Sequence, residues 1–423
     1  MTYDNFIKGG LFIIMKMKKL LSVCLAGVIG LSFALTGCSD KKESTAKDDN
    51  VTLKMLVPGY DGGYLKKELD SGIKAFEEKN PNIKVKIMSV GWDDLNSKII
   101  QLYQAKEAPD IMLTGTRTLK QLADMGAAED LTPFMKGDFK SKRVENVLKT
   151  AQIDGKQYGI PMAFSSRALY YRTDLIQNPP KNWNELLQTA KDVHAKDPKI
   201  YGFAVPTDLQ SGTDEILNFF YQNGGRIVND KGQFTLNSKE NVAALTYLEQ
   251  FSNAGLIPDP VSTSRNDQVT LFKNGNLAMF VSGPWEKAEM DKSKYKYGVA
   301  ELPVGSVSAE TLVTDSYVIS SLSKHKEDAW KFIEFMGQPK YQRPVSEAFG
   351  WFPILKDEEN DKRFSEDFMK PFAAKIKDGV AEPHVPNWDT FNKVFVTAVQ
   401  KVLTGQATPQ QALDQAQNEL EKQ

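Results

Sequence analysis

Three short apolar strands separated by two helices open the body of this chain, and that alternation constrains the fold more than any other feature. Val51, Leu53, Met55 and Val57 alternate with polar residues, a period of two that predicts a strand. Leu65, Leu69, Ile73 and Phe76 then fall at helical spacing, and Asn80-Pro81-Asn82 stops that helix. Ile83, Val85 and Ile87 predict a second strand, a helix follows from about Asp93 to Gln104, and Asp110 to Leu113 begin a third strand. Strand–helix–strand–helix–strand implies parallel pairing with right-handed crossovers, so the fold class is α/β.

Open α/β sheets bind ligands at the carboxyl ends of their strands. Those ends are Pro58–Gly63, Ser89–Asp94 and Thr114–Thr118, and each carries groups suited to a polar ligand. They are Tyr60 and Asp61, then Trp92 with Asp93 and Asp94, then Thr116 and Arg117. For any one of them ordinary loop chemistry is the competing reading, with Asp93 as a helix N-cap.

Further along, Gly155 to Leu175 reads as a crossing between two lobes, interrupted by Pro161 and resumed as a strand at Ala168–Tyr171. Trp183 precedes a helix and reads as a packing staple. Thr213 is a candidate N-cap for a helix to Tyr221, and residues 227–236 predict a hairpin whose Asn229–Gly232 turn only faintly resembles a calcium loop. Ser282-Gly-Pro-Trp-Glu286 puts a large ring directly after a strand, an unusual place for one. Thr314–Tyr317 predicts a strand, Glu327–Met336 a helix, and Trp388–Leu403 and Pro409–Leu420 two amphipathic helices split by Gly405.

The beginning of the chain has a different character. Lys16, Lys18 and Lys19 precede an apolar run from Leu20 to Leu35, too short for a spanning helix and suited to a signal peptide. The run ends in Leu35-Thr36-Gly37-Cys38, which resembles the lipobox of bacterial lipoproteins. That resemblance implies cleavage before Cys38 and a lipid on its thiol. Residues 1–37 are the expected leader, with translation starting at Met15 or Met17, and residues 38–50 a lipidated cysteine and a solvated tether. Cys24 and Cys38 are the only two cysteines in 423 residues, so the body has no disulfide in any compartment.

Composition narrows the function. Fifty-three basic against fifty-four acidic residues leave a net charge of −1, which speaks against a nucleic-acid binder. The three histidines, at 194, 325 and 384, are far apart, which argues against a histidine-rich metal site; no metal and no cofactor is expected.

Five segments together resemble the extracellular solute-binding proteins of bacterial ABC importers, the group that includes maltose-binding protein. They are Pro109-Asp110 with Leu122–Gly126 and Glu129–Thr132; Gly155-Lys-Gln-Tyr-Gly-Ile-Pro161 with Leu169–Tyr171 and Asp174; Pro180-Lys-Asn-Trp183; Phe272–Gly275 with Ala278 and Gly283-Pro-Trp285; and Leu403-Thr-Gly405 with Ala412. None is specific alone; their order and spacing are. The resemblance covers about residues 51–423 and implies two discontinuous α/β lobes with hinge strands and a central ligand cleft, as in type II periplasmic binding proteins. Lobe one is expected at 51–162 plus 306–357, and lobe two at 163–305 plus 358–423.

Carry-over of the family's site is uneven. Trp285, with its Gly-Pro, stands where the family has a sugar-stacking ring. Arg117 and Thr116 lie in the loop that supplies an Asp-Arg pair in maltose-binding protein, but the acid is missing. Ser165 falls near a family Glu, Asp214 and its neighbours replace an aromatic cluster, and Asp315 stands where many relatives have Gly, so maltose itself is not the expected ligand. Sugars offer hydroxyls to charged groups and an apolar face to rings. The expected ligand groups are therefore Trp285, Arg117, Asp315, Tyr60, Asp61, Trp92, Thr116, Ser165, Asp214, Trp351 and Trp388. The expected role is a lipid-anchored monomer on the outer face of the cell membrane, handing a carbohydrate to a permease, without catalysis. A separate ATPase supplies the energy, since no Gly-rich phosphate loop is present. The alternatives are another solute, such as a glycerophosphodiester, peptide or polyamine, and a secreted glycosidase. No Gly-x-Ser-x-Gly or His-Glu-x-x-His motif and no body cysteine supports a hydrolase.

Overall fold

The structure, a computed structural model, describes residues 50–61, 65–352, 354–358 and 361–422. The expected leader, the expected lipidation at Cys38, the expected tether up to residue 49 and the Gly62-Gly63 end of the first loop lie outside the described residues. Among those described, no helix is long and apolar enough to cross a membrane, and no group of three or more His, Cys, Asp or Glu is placed to hold a metal ion.

Strands β1 (Val51–Pro58), β2 (Ile83–Val90) and β3 (Ile111–Gly115) form the expected parallel unit. β1 pairs with β2 from Val51↔Ile83 to Pro58↔Val90, and with β3 at Met55↔Ile111. Helices Leu65–Lys79 and Leu95–Gln104 make the two crossovers. The second starts one residue later than a cap at Asp93 requires: Asp94 precedes it, and the side chain of Asp94 makes no capping bond.

The chain then forms a small hairpin, β4 (Gln152–Ile153) and β5 (Lys156–Gln157), turned by Asp154 and Gly155 at positive φ. It enters β6 (Ile160–Ser165) and, two residues on, β7 (Ala168–Arg172). Pro161 does not interrupt β6. Among the named strands it pairs with one only, apart from a single bridge from Phe164 to Phe352, and its register slips opposite Asp315 and Ser316, so the missing N–H is tolerated. β7 is the centre of a second, antiparallel sheet between β8 (Met279–Ser282) and β9 (Tyr297–Ala300).

Strand β10 (Glu310–Ile319) belongs to the first sheet, where β6 pairs with it. All ten of its residues are buried, the mark of a strand covered on both faces. Its first three residues pair with β11 (Gly379–Ala381), and its last five run antiparallel to β3 while β6 lies along its other side. β6 and β10 are the hinge strands of a two-lobe α/β fold.

Each sheet carries its own core. Leu53, Met55, Leu113 and Ile319 pack beneath helices Leu65–Lys79 and Lys326–Met336, where Phe76 meets Phe332 at 5.2 Å between ring centroids. On the other side, helices Gly212–Gln222, Lys239–Asn253, Trp388–Leu403 and Pro409–Leu420 share a core around Phe220, Leu245, Phe395 and Leu413. Each such ring or aliphatic side chain contributes about 1.5–3 kcal/mol by leaving water. A further cluster of Phe164, Tyr170, Phe280, Phe352 and Phe372 packs beside the crossing.

Trp183 is the packing ring its position suggests. It stacks on Tyr247 at 4.3 Å, and its Nε1 donates to Gln222. The helix expected from Thr213 begins at Gly212 behind Ser211. The hairpin at 227–236 reduces to one bridge, Val228↔Phe234, closed by Asn229 accepting from the N–H groups of Lys231 and Gln233.

Candidate functional site

A cavity of about 490 Å³ opens where the carboxyl ends of β1, β2 and β3 face the hinge and the second sheet. The strand ends contribute Gly59, Trp92 and Arg117, and the hinge contributes Ser165, Val313 and Asp315. From the far side come Arg167, Asp214, Arg265, Asn266, Trp285, Glu286 and Glu289, with Trp351 closing one end. The volume lies within the range of small-molecule sites, and polar groups from many chain segments converge on it. A larger hollow, about 600 Å³ between Phe76, Arg143 and Phe335, draws on no strand end of the parallel unit.

Trp285 is fixed from several directions. Its Nε1 donates to Glu286 Oε1 at 2.9 Å, and the same oxygen accepts from Ser282 Oγ at 3.0 Å. Two guanidiniums lie near the ring, Arg167 at 4.8 Å and Arg265 at 5.7 Å from its centroid, close enough for cation–π attraction. The Gly-Pro before it has a steric reason: a Cβ on Gly283 would sit 2.0 Å from the indole, so only glycine lets the ring fold back over its own chain. Gly59 does the same for Trp92. It sits at φ +63° with the indole Nε1 2.8 Å from where a Cβ would be. Trp92 is 38% exposed and overlooks the cavity.

Behind Trp285 lies a buried charge cluster. Glu215 is 0% exposed and sits in the first turn of its helix, where the dipole favours a carboxylate. It accepts from Arg167 Nε at 2.8 Å and, through both oxygens, from Arg265 Nη2 at 3.0 and 2.9 Å. Arg167 Nη1 also donates to Ser165 Oγ at 3.3 Å, and its Nη2 lies 3.6 Å from Asp214.

The hinge side carries a second group of charges. Arg117 reaches Glu382 at 3.2 Å. Asp214 is desolvated, which works against its charge, yet Arg117, Arg167 and Arg265 together hold its carboxyl below the usual range. Asp315 goes the other way. Burial, with repulsion from Asp214, outweighs Arg117 and Arg167 and pushes it up to about 6. Burial likewise raises Glu286 and, strongly, Glu382. Asp315 Oδ1 is buried without a hydrogen-bond partner on a wall of the cavity, an acceptor with its bond still to be made.

The structure gathers seven of the eleven expected ligand residues around this cavity: Trp285, Arg117, Asp315, Trp92, Ser165, Asp214 and Trp351. It places the other four elsewhere. Thr116 turns into the hinge, where its hydroxyl donates to the Thr314 carbonyl at 3.1 Å and Thr150 completes the threonine cluster. The Tyr60 hydroxyl is held between Asp70 and Lys66. Asp61 is exposed, with its N–H on Ser89 Oγ. Trp388 is buried against Phe391, with Arg117 lying 5.5 Å from its ring and separating it from the cavity. Arg265, Glu286 and Glu382 are brought to the charge clusters by the fold and are not among the expected ligand groups. The one local signal was Glu286 beside Trp285; the others pair with groups far away in the chain.

The fold and the cavity define a class: two α/β lobes joined by hinge strands around one polar, aromatic-walled cleft, the design of a substrate-binding protein. Residues 62–343 match the bacterial extracellular solute-binding protein family, and the chain belongs to that family. A putative binding protein of Brucella abortus is 32% identical over 358 residues, 81% of this chain and 86% of the relative. The galactooligosaccharide-binding protein of Bacillus subtilis is 26% identical over 425 residues, 95% and 96% of the two chains. An ABC substrate-binding protein of Listeria monocytogenes, solved in complex with cycloalternan, superposes with a TM-score of 0.77 at 26% identity, covering 88% of this chain and 99% of that one.

Proposed function

We propose that this chain captures a carbohydrate between its lobes and delivers it to the permease of an ABC importer. The observation that carries this reading is the pairing, in one cavity, of a buried unpartnered acceptor, Asp315 Oδ1, with the rings of Trp285, Trp92 and Trp351. A sugar offers both complements, hydroxyl donors and an apolar CH face. Relatives that bind a galactooligosaccharide and cycloalternan support the same class of ligand. Lobe one is taken as 51–162 plus 306–357, and lobe two as 163–305 plus 358–423. A ligand touching both lobes favours the closed state by its differential contacts, and closure is the signal to the permease. The protein works as a monomer on the outer face of the membrane, held by a lipid on Cys38, and performs no catalysis.

Three arginines on the cavity wall raise a second reading, a phosphorylated solute. Each already faces a carboxylate, Arg117 at Glu382 and Arg167 and Arg265 at Glu215, so the cluster is near neutral and better suited to hydroxyls. A thermal-shift and calorimetric screen of residues 39–423 separates the readings. A ligand at 100 times its Kd adds about 2.7 kcal/mol of stability. Stabilisation by a saccharide, recovered chemically unchanged, is the expected result. Stabilisation by glycerol phosphates alone overturns the carbohydrate reading, and cleavage of the saccharide overturns the non-enzymatic one.

Asp315 gives a further expectation with two readouts. Its carboxyl ionises near 3.8 when unfolded and near 6 when folded. The folded state therefore binds the proton more tightly, and stability falls as pH rises between those values. Asp315→Asn is expected to stabilise the free protein by about 3 kcal/mol at pH 7.5 and to make little difference near pH 4. The same change removes the open acceptor and weakens ligand binding. Urea unfolding at both pH values checks the first part; an equal difference at the two would contradict it.

A further inference from the structure

We propose that the Arg117–Glu382 ion pair is a partition that divides the interlobe groove into two compartments and so limits the length of saccharide the protein holds. The inference rests on reading the groove as a saccharide site. Arg117 lines the 490 Å³ cavity described above. Glu382 lines a second hollow of about 380 Å³. Arg117 Nη1 and Glu382 Oε1 are 3.2 Å apart, so one buried contact joins a wall residue of the first hollow to a wall residue of the second. The second hollow, like the first, draws on both lobes: Lys120 and Asp154 on one side, Tyr221 and Arg226 on the other. Its lining offers carboxylate, ammonium and guanidinium groups to the hydroxyls of a sugar.

The partition is firm for a physical reason. The Glu382 side chain is 1% exposed and that of Arg117 22%, so the pair is largely desolvated and a ligand end cannot displace it without leaving a buried charge unpaired. The Trp388 ring and Asp214 back the guanidinium, and a bond from Asn96 Nδ2 to Asp389 at 2.7 Å joins the lobes nearby. A short saccharide fills the first compartment and ends at Arg117. A longer one meets the ion pair.

The test is calorimetric titration with maltooligosaccharide and galactooligosaccharide ladders of two to seven units. For the natural protein, affinity is expected to level off once the first compartment is filled. Glu382→Ala opens the wall, and the ratio of the affinity for the longest saccharide to that for the shortest binder is expected to rise at least ~10-fold over that of the natural protein. Glu382→Gln keeps the side-chain volume and the fold but removes the charge, and its gain falls in between. Adding Arg226→Ala, an exposed change in the second hollow, to either variant should abolish the gain. An unchanged length profile in both Glu382 variants overturns the partition and leaves the saccharide site standing. Failure of every saccharide to bind the natural protein overturns the site itself and the partition with it.

Discussion

Trp285→Ala is expected to weaken saccharide binding by at least ~30-fold, about 2 kcal/mol or more, with a much smaller effect on stability. The ring is pre-positioned: Glu286 holds its Nε1, and two guanidiniums lie within 6 Å of its centroid. A ring that is already fixed loses little entropy when a ligand stacks on it, which is why rigid aromatic anchors dominate binding energy. Trp285→Phe keeps a face for stacking but loses the Glu286 bond, and its loss of affinity is expected to be smaller. Titration of the three proteins with the saccharide found in the screen measures this directly. An affinity for Trp285→Ala within ~3-fold of the natural protein would show that the sugar rests on Trp92 or Trp351 instead.

The features that were legible in the sequence are those governed by local periodicity. The strands at Val51, Ile83 and Ile111 and the two closing helices follow from alternation and from helical spacing, and they settle where the strand ends point. Trp285 could be found because a large ring directly after a strand is an unusual placement and because its Gly-Pro-Trp matches the family's stacking position. The misplacements have the opposite cause. Thr116 and Arg117 are neighbours, yet a single 3-10 turn after β3 sends one hydroxyl into the hinge and the other side chain into the cleft. Nothing in the residue types distinguishes them. Tyr60 is claimed by Asp70 and Lys66 on the following helix, and Trp388 is shielded from the cavity by Arg117, 271 positions earlier in the chain. Glu215 shows the limit most clearly. Its partners are 48 and 50 residues away and become neighbours only when the helix at Gly212, the end of β6 and the helix at Arg265 converge.

That same cluster carries the largest stability effect. Glu215→Ala is expected to cost about 3–5 kcal/mol, because it leaves two guanidiniums desolvated around an empty position. The carboxylate spends all its capacity on Arg167 and Arg265, so no neighbouring acid replaces it without giving up its own cavity contacts. Glu215→Gln, which keeps the acceptor but not the charge, should fall between. The informative variant removes the whole cluster. Arg167→Met, Glu215→Leu and Arg265→Met together should recover most of the lost stability, since a buried ion cluster exchanged for packed apolar groups is often neutral or better. They should not recover binding, because Trp285 then loses both guanidiniums near its ring and Ser165 its donor. Urea unfolding and titration on the same three proteins read the two quantities separately. Recovered stability without recovered affinity means the charges are kept to position the ring. Recovery of both would reduce the cluster to a packing unit and move the source of affinity to Trp92, Trp351 and Asp315.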